Sequence, residues 1–211
     1  MNSDIPIFLF AKKPVAGRVK TRLQSHCSPA VAATIAEELI RATVELVVAN
    51  WDGQVRLCVW PDTEHSVFEE MRTAYSISID VQATGGLGKK LLHALDVGVG
   101  AYGAAAVMGC DVPHCSAAII RRTFVALAQR HNVMGPSLDG GFYLLGMCQT
   151  HPDMFRDISW STPSVASSIE RNFRALDIIV DLKLPMLRDI DSWADLAIVA
   201  QQFQRLSAYV T

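Results

Sequence analysis

The chain has 211 residues, half of them hydrophobic and 19 % charged, with a formal net charge of −2 at pH 7. That is enough apolar material for a core without staples, and the length is that of one domain. No run approaches the roughly 20 apolar residues a spanning helix needs, and the mildly acidic balance speaks against bulk nucleic-acid binding.

The five cysteines, Cys27, Cys58, Cys110, Cys115 and Cys148, are irregularly spaced with no Cys-x-x-Cys. That pattern fits neither a disulfide framework nor a zinc knuckle. The apolar stretch Ile5–Ala11 precedes the basic residues, the reverse of a secretory signal. A reducing cytoplasm is the expected location.

In chain order, Ile5–Phe10 reads as a first strand, followed by a Gly/Pro/Lys/Arg loop. Ser28-Pro29 starts a helix running to about Asn50, with Ser as N-cap and Pro at the first turn. Gln54–Trp60 alternates as a strand, a charged helix spans about Glu64–Thr73, and Ile77–Gln82 is a third strand. Leu87–Val99 is helical, Ala104–Gly109 a buried strand and Cys115–Arg130 a helix. Phe142–Cys148 is a strand, Pro163–Leu176 a helix, Ile178–Leu182 a late strand and Ser192–Leu206 a final helix capped by Asp191 or Ser192. Strands alternating with helices imply one layered α/β domain over residues 1–211, its mostly parallel sheet covered on both faces.

In such sheets ligands sit beyond the carboxyl ends of the strands, where strand order reverses. Function is therefore expected in the loops that follow strands: Lys12–Arg22, Gln82–Gly88, Asp111–Pro113, Gly135–Gly141 and Arg188–Asp191.

Two motifs fail on context. Gly98-x-Gly100-x-x-Gly103 has the letters of a dinucleotide fingerprint, but a helix precedes it and a strand follows, the reverse of what pyrophosphate binding needs. Gly85-Gly86-Leu87-Gly88-Lys89 lacks the first glycine and the hydroxyl of a Walker loop. His114, between Cys110 and Cys115, reads as a satisfied loop histidine.

Four segments hold chemistry. Between Ile5 and Ala36 there is no acid, while Lys12, Lys13, Arg18, Lys20 and Arg22 cluster there with Gly17 and Pro14. Following the first strand, this makes an anion site suited to phosphate. Asp111, in Gly109-Cys110-Asp111-Val112-Pro113, can ligate Mg²⁺ or Mn²⁺; otherwise it caps the next helix. Asp139-Gly140-Gly141 is either a site or a hairpin turn. Asp189 and Asp191, two apart, could share a cation in extended backbone, or serve as one N-cap and one partner of Arg188.

Together and in this order, Phe10–Leu23, Gly109–Pro113, Gly135–Leu145, Trp160–Thr162 and Leu187–Asp191 resemble the GT-A-like nucleotide-diphospho-sugar transferase, or glycosyltransferase-like, family. That group is related to the molybdenum-cofactor and 2-phospholactate guanylyltransferases. The resemblance reaches from about Ile5 to Leu196. It departs at Gly86, where the family usually has Asp, and at Lys90, where it often has Arg.

The resemblance implies a three-layer Rossmann-like GT-A fold. Lys12, Arg18, Lys20 and Arg22 would hold phosphates, with Gly17 and Gly88 beside them, and Asp111 would carry the Mg²⁺ or Mn²⁺. Asp139 and Asp191 would be a second metal ligand or an acceptor-side base. The partners would be a nucleoside triphosphate or nucleotide-sugar and an acceptor that the sequence does not name; an oligomer is compatible. Nucleotidyl and glycosyl transfer stay open. The rival readings are a nucleotide- or metabolite-binding member without turnover, suggested by Gly86, and an NAD-dependent oxidoreductase resting on the misplaced glycines.

Overall fold

The computed structural model describes residues 4–210. Successive side chains of a strand point to opposite faces, and here each face has its own core. In β1 (Ile7–Lys12), Ile7, Leu9 and Ala11 enter one core and Phe8 the other. β2 (Val55–Trp60) repeats the split with Leu57 and Val59 against Cys58. β4 (Ala105–Gly109) does so with Ala106 and Met108 against Ala105 and Val107. Apolar residues on both faces of a strand are what a doubly covered sheet demands.

The first core is closed by α1 (Pro29–Val48), α2 (Ser66–Tyr75) and α4 (Ala117–Ala128), through Val44, Phe68 and Ile120. The second is closed by α3 (Leu87–Tyr102) and α5 (Val165–Ala175), through Leu95 and Ile169. The remaining strands are β3 (Ser78–Val81), β5 (Val133–Pro136), β6 (Phe142–Met147) and β7 (Leu182–Lys183). The sheet has seven strands in the order β3-β2-β1-β4-β6-β5-β7. β6 is antiparallel to both β4 and β5, and the other pairings are parallel. The expected α/β architecture, a mostly parallel sheet between helical layers, is therefore present.

A third core lies beyond the carboxyl edge. Leu23, from the 3₁₀ turn Thr21–Ser25, packs there with Ile35 and Leu39 of α1. Ile190, with Leu196 and Val199 of α6 (Trp193–Ala200), completes it. This core fastens the segment after β1 to the segment before α6, 170 residues later in the chain.

Ser28 caps α1, its side chain accepting from the Val31 amide with Pro29 at the first turn, as expected. Three expectations need correction. Gly135 and Pro136, expected in the loop Gly135–Gly141, belong to β5. The signal is weak because the strand is short and holds Gly135 and Pro136; a Cβ at Gly135 would lie 2.4 Å from the Tyr143 ring, so glycine is required by close packing. The late strand at residues 178–182 shrinks to β7, because Ile178 instead closes the end of α5 by donating its amide to the Phe173 carbonyl. The final helix stops at Ala200, and residues 204–209 form a separate 3₁₀ turn that buries Leu206. The misplaced fingerprint resolves as packing: Gly103 ends α3 with φ 82°, and a Cβ on Gly98 would meet the Ala105 Cβ at 2.4 Å.

Candidate functional site

From β1 the chain steps to β2 and β3 on one side, then crosses to β4 on the other. The strand order therefore switches between β1 and β4, which is where open α/β sheets place ligands. A cleft of about 670 Å³ opens there. One wall carries Lys12, Arg18, Lys20 and Arg22; the other carries Asp111, Asp139 and Asp191; Gln82, Leu87, Ser161 and Thr162 also line it.

The cationic wall is a single loop. A turn over residues 15–18 is closed by the Arg18 amide donating to the Val15 carbonyl at 2.9 Å, with Gly17 at φ 79°. That backbone is what calls for glycine at position 17, since a Cβ there would meet nothing. Lys12 and Arg18 form no ion pair among the described residues, so their charges are free to meet an anion. Lys13 is different: it is tied to Asp62 at 2.7 Å and is not part of the cleft lining.

Lys20 joins the two walls. Its ammonium donates to the Ile190 carbonyl at 2.5 Å and lies 2.7 Å from Asp111 Oδ1 and 3.4 Å from Asp191 Oδ1. The Lys20 side chain is 9 % exposed, against 48 % for Asp111 and 43 % for Asp191. Burial alone lowers the Lys20 pKa, but Asp111 and Asp191 outweigh it and hold the ammonium above the ordinary lysine range. The Lys20 backbone is left-handed, φ 46° and ψ 40°, a conformation that costs a non-glycine residue about 1 kcal/mol or more. Arg22 reaches Asp191 Oδ2 at 3.6 Å.

The acidic wall is assembled from distant segments. Asp111 follows β4, and its carbonyl accepts from the Ile190 amide at 3.0 Å. Asp111 does not cap α4, because Ser116 does so, accepting from the Ile119 amide. Asp191 likewise caps nothing. Ser192 and Asp195 form a reciprocal capping box on α6, and Arg188 pairs with Asp195 at 2.9 Å. Asp139 sits in the β5–β6 hairpin, where its Oδ1 accepts from the Gly141 amide at 2.9 Å. The hairpin reading of Asp139-Gly140-Gly141 is thus correct, and Asp139 also faces the cleft. Gly140 has φ 88°, and a Cβ there would strike the Pro163 carbonyl.

Asp189 is the residue that sequence reasoning undervalued. Burial, then the charges of Asp111, Asp139 and Asp191, push its carboxyl up to about 7. Beside it the buried hydroxyl of Ser137, 1 % exposed, favours the ionised carboxyl and only partly offsets these effects. The sequence signal was Asp189-x-Asp191 itself, but only the fold brings the charges of Asp111 and Asp139 within electrostatic reach of Asp189.

Gln82 opens the expected loop Gln82–Gly88 and lines the cleft. Its side-chain amide donates to the carbonyls of Ala11 at 3.1 Å and Cys58 at 2.9 Å, bracing the ends of β1 and β2. Its oxygen accepts from Lys90, whose ammonium lies 3.6 Å from the Trp60 ring centroid. Burial, then Lys12, depresses the Lys90 pKa. Gly88 is outside the cleft lining, and a Cβ there would press on Phe155 at 3.0 Å and Trp160 at 3.1 Å. Gly86 is the N-cap of α3 at φ −71°, with open space where a side chain would go.

Burial pushes the Cys58 and Cys115 thiols up to about 12 and raises Cys110 further. His114 departs from expectation, because its Nδ1 is buried with no hydrogen-bond partner among the described residues.

The donor set suits a hard divalent cation, since Asp111 and Asp191 already bracket a positive charge, the Lys20 ammonium. Among the described residues no three His, Cys, Asp or Glu side chains stand close enough to hold a metal ion by themselves.

No curated protein matches the chain. Its structure is similar to that of a protein from Desulfovibrio desulfuricans G20 provisionally named a nucleotide-diphospho-sugar transferase, with TM-score 0.84 and 25 % identity over 96 % of this chain and 88 % of that one. The fold recurs in 4-diphosphocytidyl-2C-methyl-D-erythritol synthase from Anaerococcus prevotii DSM 20548, with TM-score 0.59 and 12 % identity over 97 % of this chain and 100 % of that one. It recurs again in CMP:2-keto-3-deoxy-manno-octonic acid synthetase, solved with CTP, at TM-score 0.55 and 10 % identity over 96 % of this chain and 99 % of that one. The fold is thus GT-A-like, as in nucleotidyltransferases. No helix is long and apolar enough to cross a membrane among the described residues. Residues 43–162 match the family described as "Uncharacterized protein conserved in bacteria (DUF2064)", and the chain belongs to it.

Proposed function

We propose that the chain is a transferase that binds the phosphates of a nucleotide donor, a nucleoside triphosphate or a nucleotide sugar, between β1 and β4 and passes part of it to an acceptor. The observation that carries this reading is the placement of Lys12, Arg18, Lys20 and Arg22 opposite Asp111 at the switch point of the sheet. Lys12 and Arg18, which have no carboxylate partner among the described residues, neutralise the donor's phosphates by charge-assisted hydrogen bonds. Lys20 and Arg22 counter the negative charge that builds on the departing phosphate groups.

Asp111, with Asp191, would hold Mg²⁺ or Mn²⁺. When bound, such an ion shares in neutralising phosphate charge and polarises a phosphoryl oxygen. Both chemistries of this architecture use that neutralisation. In nucleotidyl transfer an acceptor phosphate attacks the α-phosphorus and pyrophosphate leaves; in glycosyl transfer an acceptor hydroxyl attacks the anomeric carbon and the nucleoside diphosphate leaves. A hydroxyl acceptor must also lose a proton. Asp139 and Asp191 line the cleft as candidate bases, and Asp189, held near neutrality, lies within electrostatic reach of both.

The test is thermal shift with the four nucleoside triphosphates, UDP- and GDP-sugars and NAD, each with Mg²⁺, Mn²⁺ or EDTA. A ligand at a hundredfold its Kd adds about 2.7 kcal/mol of stability. The expected result is a shift with one nucleotide that EDTA removes and Asp111→Ala abolishes. A shift with NAD independent of metal, or none with any nucleotide, would overturn the reading.

A binding protein without turnover is the second reading, and Gly86 favours it. Neither the backbone nor packing forces glycine at this N-cap, so the absence of a carboxylate there is not a demand of the fold. Gly86→Asp separates the two: turnover gained only in this variant, with nucleotide binding present in both, supports the second reading.

A further inference from the structure

Asp111 and Asp191 are half exposed to the cleft, yet the position between them is filled from behind by Lys20. Three features hold the ammonium there. It donates to the Ile190 carbonyl, which is part of the buried third core through its own side chain. Its own side chain is nine-tenths buried, so it has little water to return to. Its backbone, left-handed at Lys20, is fixed by Leu23 two positions after Thr21, packed in that same core, with the Leu23 amide bonded to the Lys20 carbonyl at 2.9 Å. Arg22 adds a second positive charge at the other oxygen of Asp191.

We propose that Lys20 is the resident counter-ion of Asp111 and Asp191 and excludes a divalent cation from them until a polyphosphate takes up the Lys20 charge. Metal and donor phosphates therefore bind this chain cooperatively, and the metal alone binds weakly. The inference rests on the reading of the cleft as a phosphate and metal site. Its physical basis is that a divalent ion on either carboxylate oxygen would stand within a few ångströms of an ammonium in a poorly solvated place, where like charges repel strongly. A polyphosphate relieves that repulsion by giving the ammonium new oxygens and completing the coordination shell, which no third protein carboxylate supplies among the described residues. By linkage, what the anion does for the metal, the metal does for the anion.

The experiment is Mn²⁺ binding to the whole protein, read from the electron paramagnetic resonance of free Mn²⁺, without any nucleotide. The proteins are the parent, Lys20→Met, Lys20→Arg and Lys20→Met/Asp111→Asn. Lys20→Met is expected to bind Mn²⁺ at least about tenfold more tightly than the parent, within the usual range of coupling. Lys20→Arg keeps the weak parental binding, and the double variant loses the gain. Lys20→Gln, which retains an amide donor towards the Ile190 carbonyl, serves if the methionine variant does not fold. Equal Mn²⁺ affinity in the parent and both neutral variants overturns the proposal.

Thermal shift of the parent with Mn²⁺ and nucleotide is run alongside. If nucleotide binds and the neutral variants gain nothing, the counter-ion proposal fails and the transferase reading stands. If the neutral variants gain Mn²⁺ and no nucleotide binds any protein, the counter-ion role stands and the transferase reading fails.

Discussion

The two walls of the cleft carry opposite charge and are built in opposite ways. The cationic wall, Lys12 to Arg22, comes from one stretch of chain, shaped by a local turn and a single glycine. The acidic wall takes Asp111 from the end of β4, Asp139 from a hairpin, and Asp189 and Asp191 from the approach to α6. A contiguous loop can keep its character through local backbone geometry alone. A gathered set of carboxylates repels itself and persists only because buried packing elsewhere forces the segments together. Here the third core, with Leu23 on one side and Ile190 on the other, supplies that force, and Lys20 supplies the compensating charge.

The sharpest way to break this contrast is Leu23→Ala. Leu23 belongs to the cationic segment, yet its side chain packs in the same core as Ile190. Truncation of a fully buried leucine costs about 2–5 kcal/mol, measured by urea unfolding. It should also loosen Asp191 from Lys20, seen as loss of metal-dependent nucleotide stabilisation. If stability falls but binding survives unchanged, the two walls do not depend on a shared core.

Asp189→Asn acts on the acidic wall alone. With a folded pKa near 7, above the ordinary carboxylate value, the folded state disfavours the ionised form. The penalty is absent below about pH 4, grows as pH rises towards 7 and is constant above that. In EDTA, Asp189→Asn should match the parent near pH 4 and be more stable at pH 8 by about 2–4 kcal/mol. A variant no more stable at pH 8 than at pH 4, relative to the parent, would mean that Asp189 ionises freely.

The smallest effect on folding is expected at Lys12 and Arg18. Neither has a carboxylate partner among the described residues, so Lys12→Gln and Arg18→Gln should change unfolding free energy by less than about 0.5 kcal/mol. Each should weaken nucleotide binding by about 1.5 kcal/mol, roughly tenfold, with the loss shrinking at high salt. Equal loss of binding on replacing Lys13, which is already held by Asp62, would contradict the division of labour in this loop.

Much of the fold was legible. The runs Ile5–Phe10, Gln54–Trp60 and Ala104–Gly109 declare the strands that the structure places at Ile7–Lys12, Val55–Trp60 and Ala105–Gly109, and Ser28-Pro29 declares a helix start, because those signals are local and strong. β5 was illegible because its Gly135-Pro136 pair looks like a turn, and only the Tyr143 ring lying on that glycine explains why it is there. Asp139 announced its hairpin but not that the hairpin would turn it towards Asp111. Gln82 announced a loop after β3, while its role in bracing two strand ends depends on carbonyls 71 and 24 residues away.

By itself the sequence determined the layered α/β fold, the position of a basic loop after β1 and the presence of a carboxylate after β4. These follow from periodicity, from turn chemistry and from the rule that strand ends face the ligand. Only the tertiary structure decided which carboxylates meet, that Lys20 and not Arg22 lies buried between Asp111 and Asp191, and that Asp189 is held near neutrality. Those outcomes depend on distance and desolvation between segments far apart in the chain, and neither quantity is written in the order of the residues.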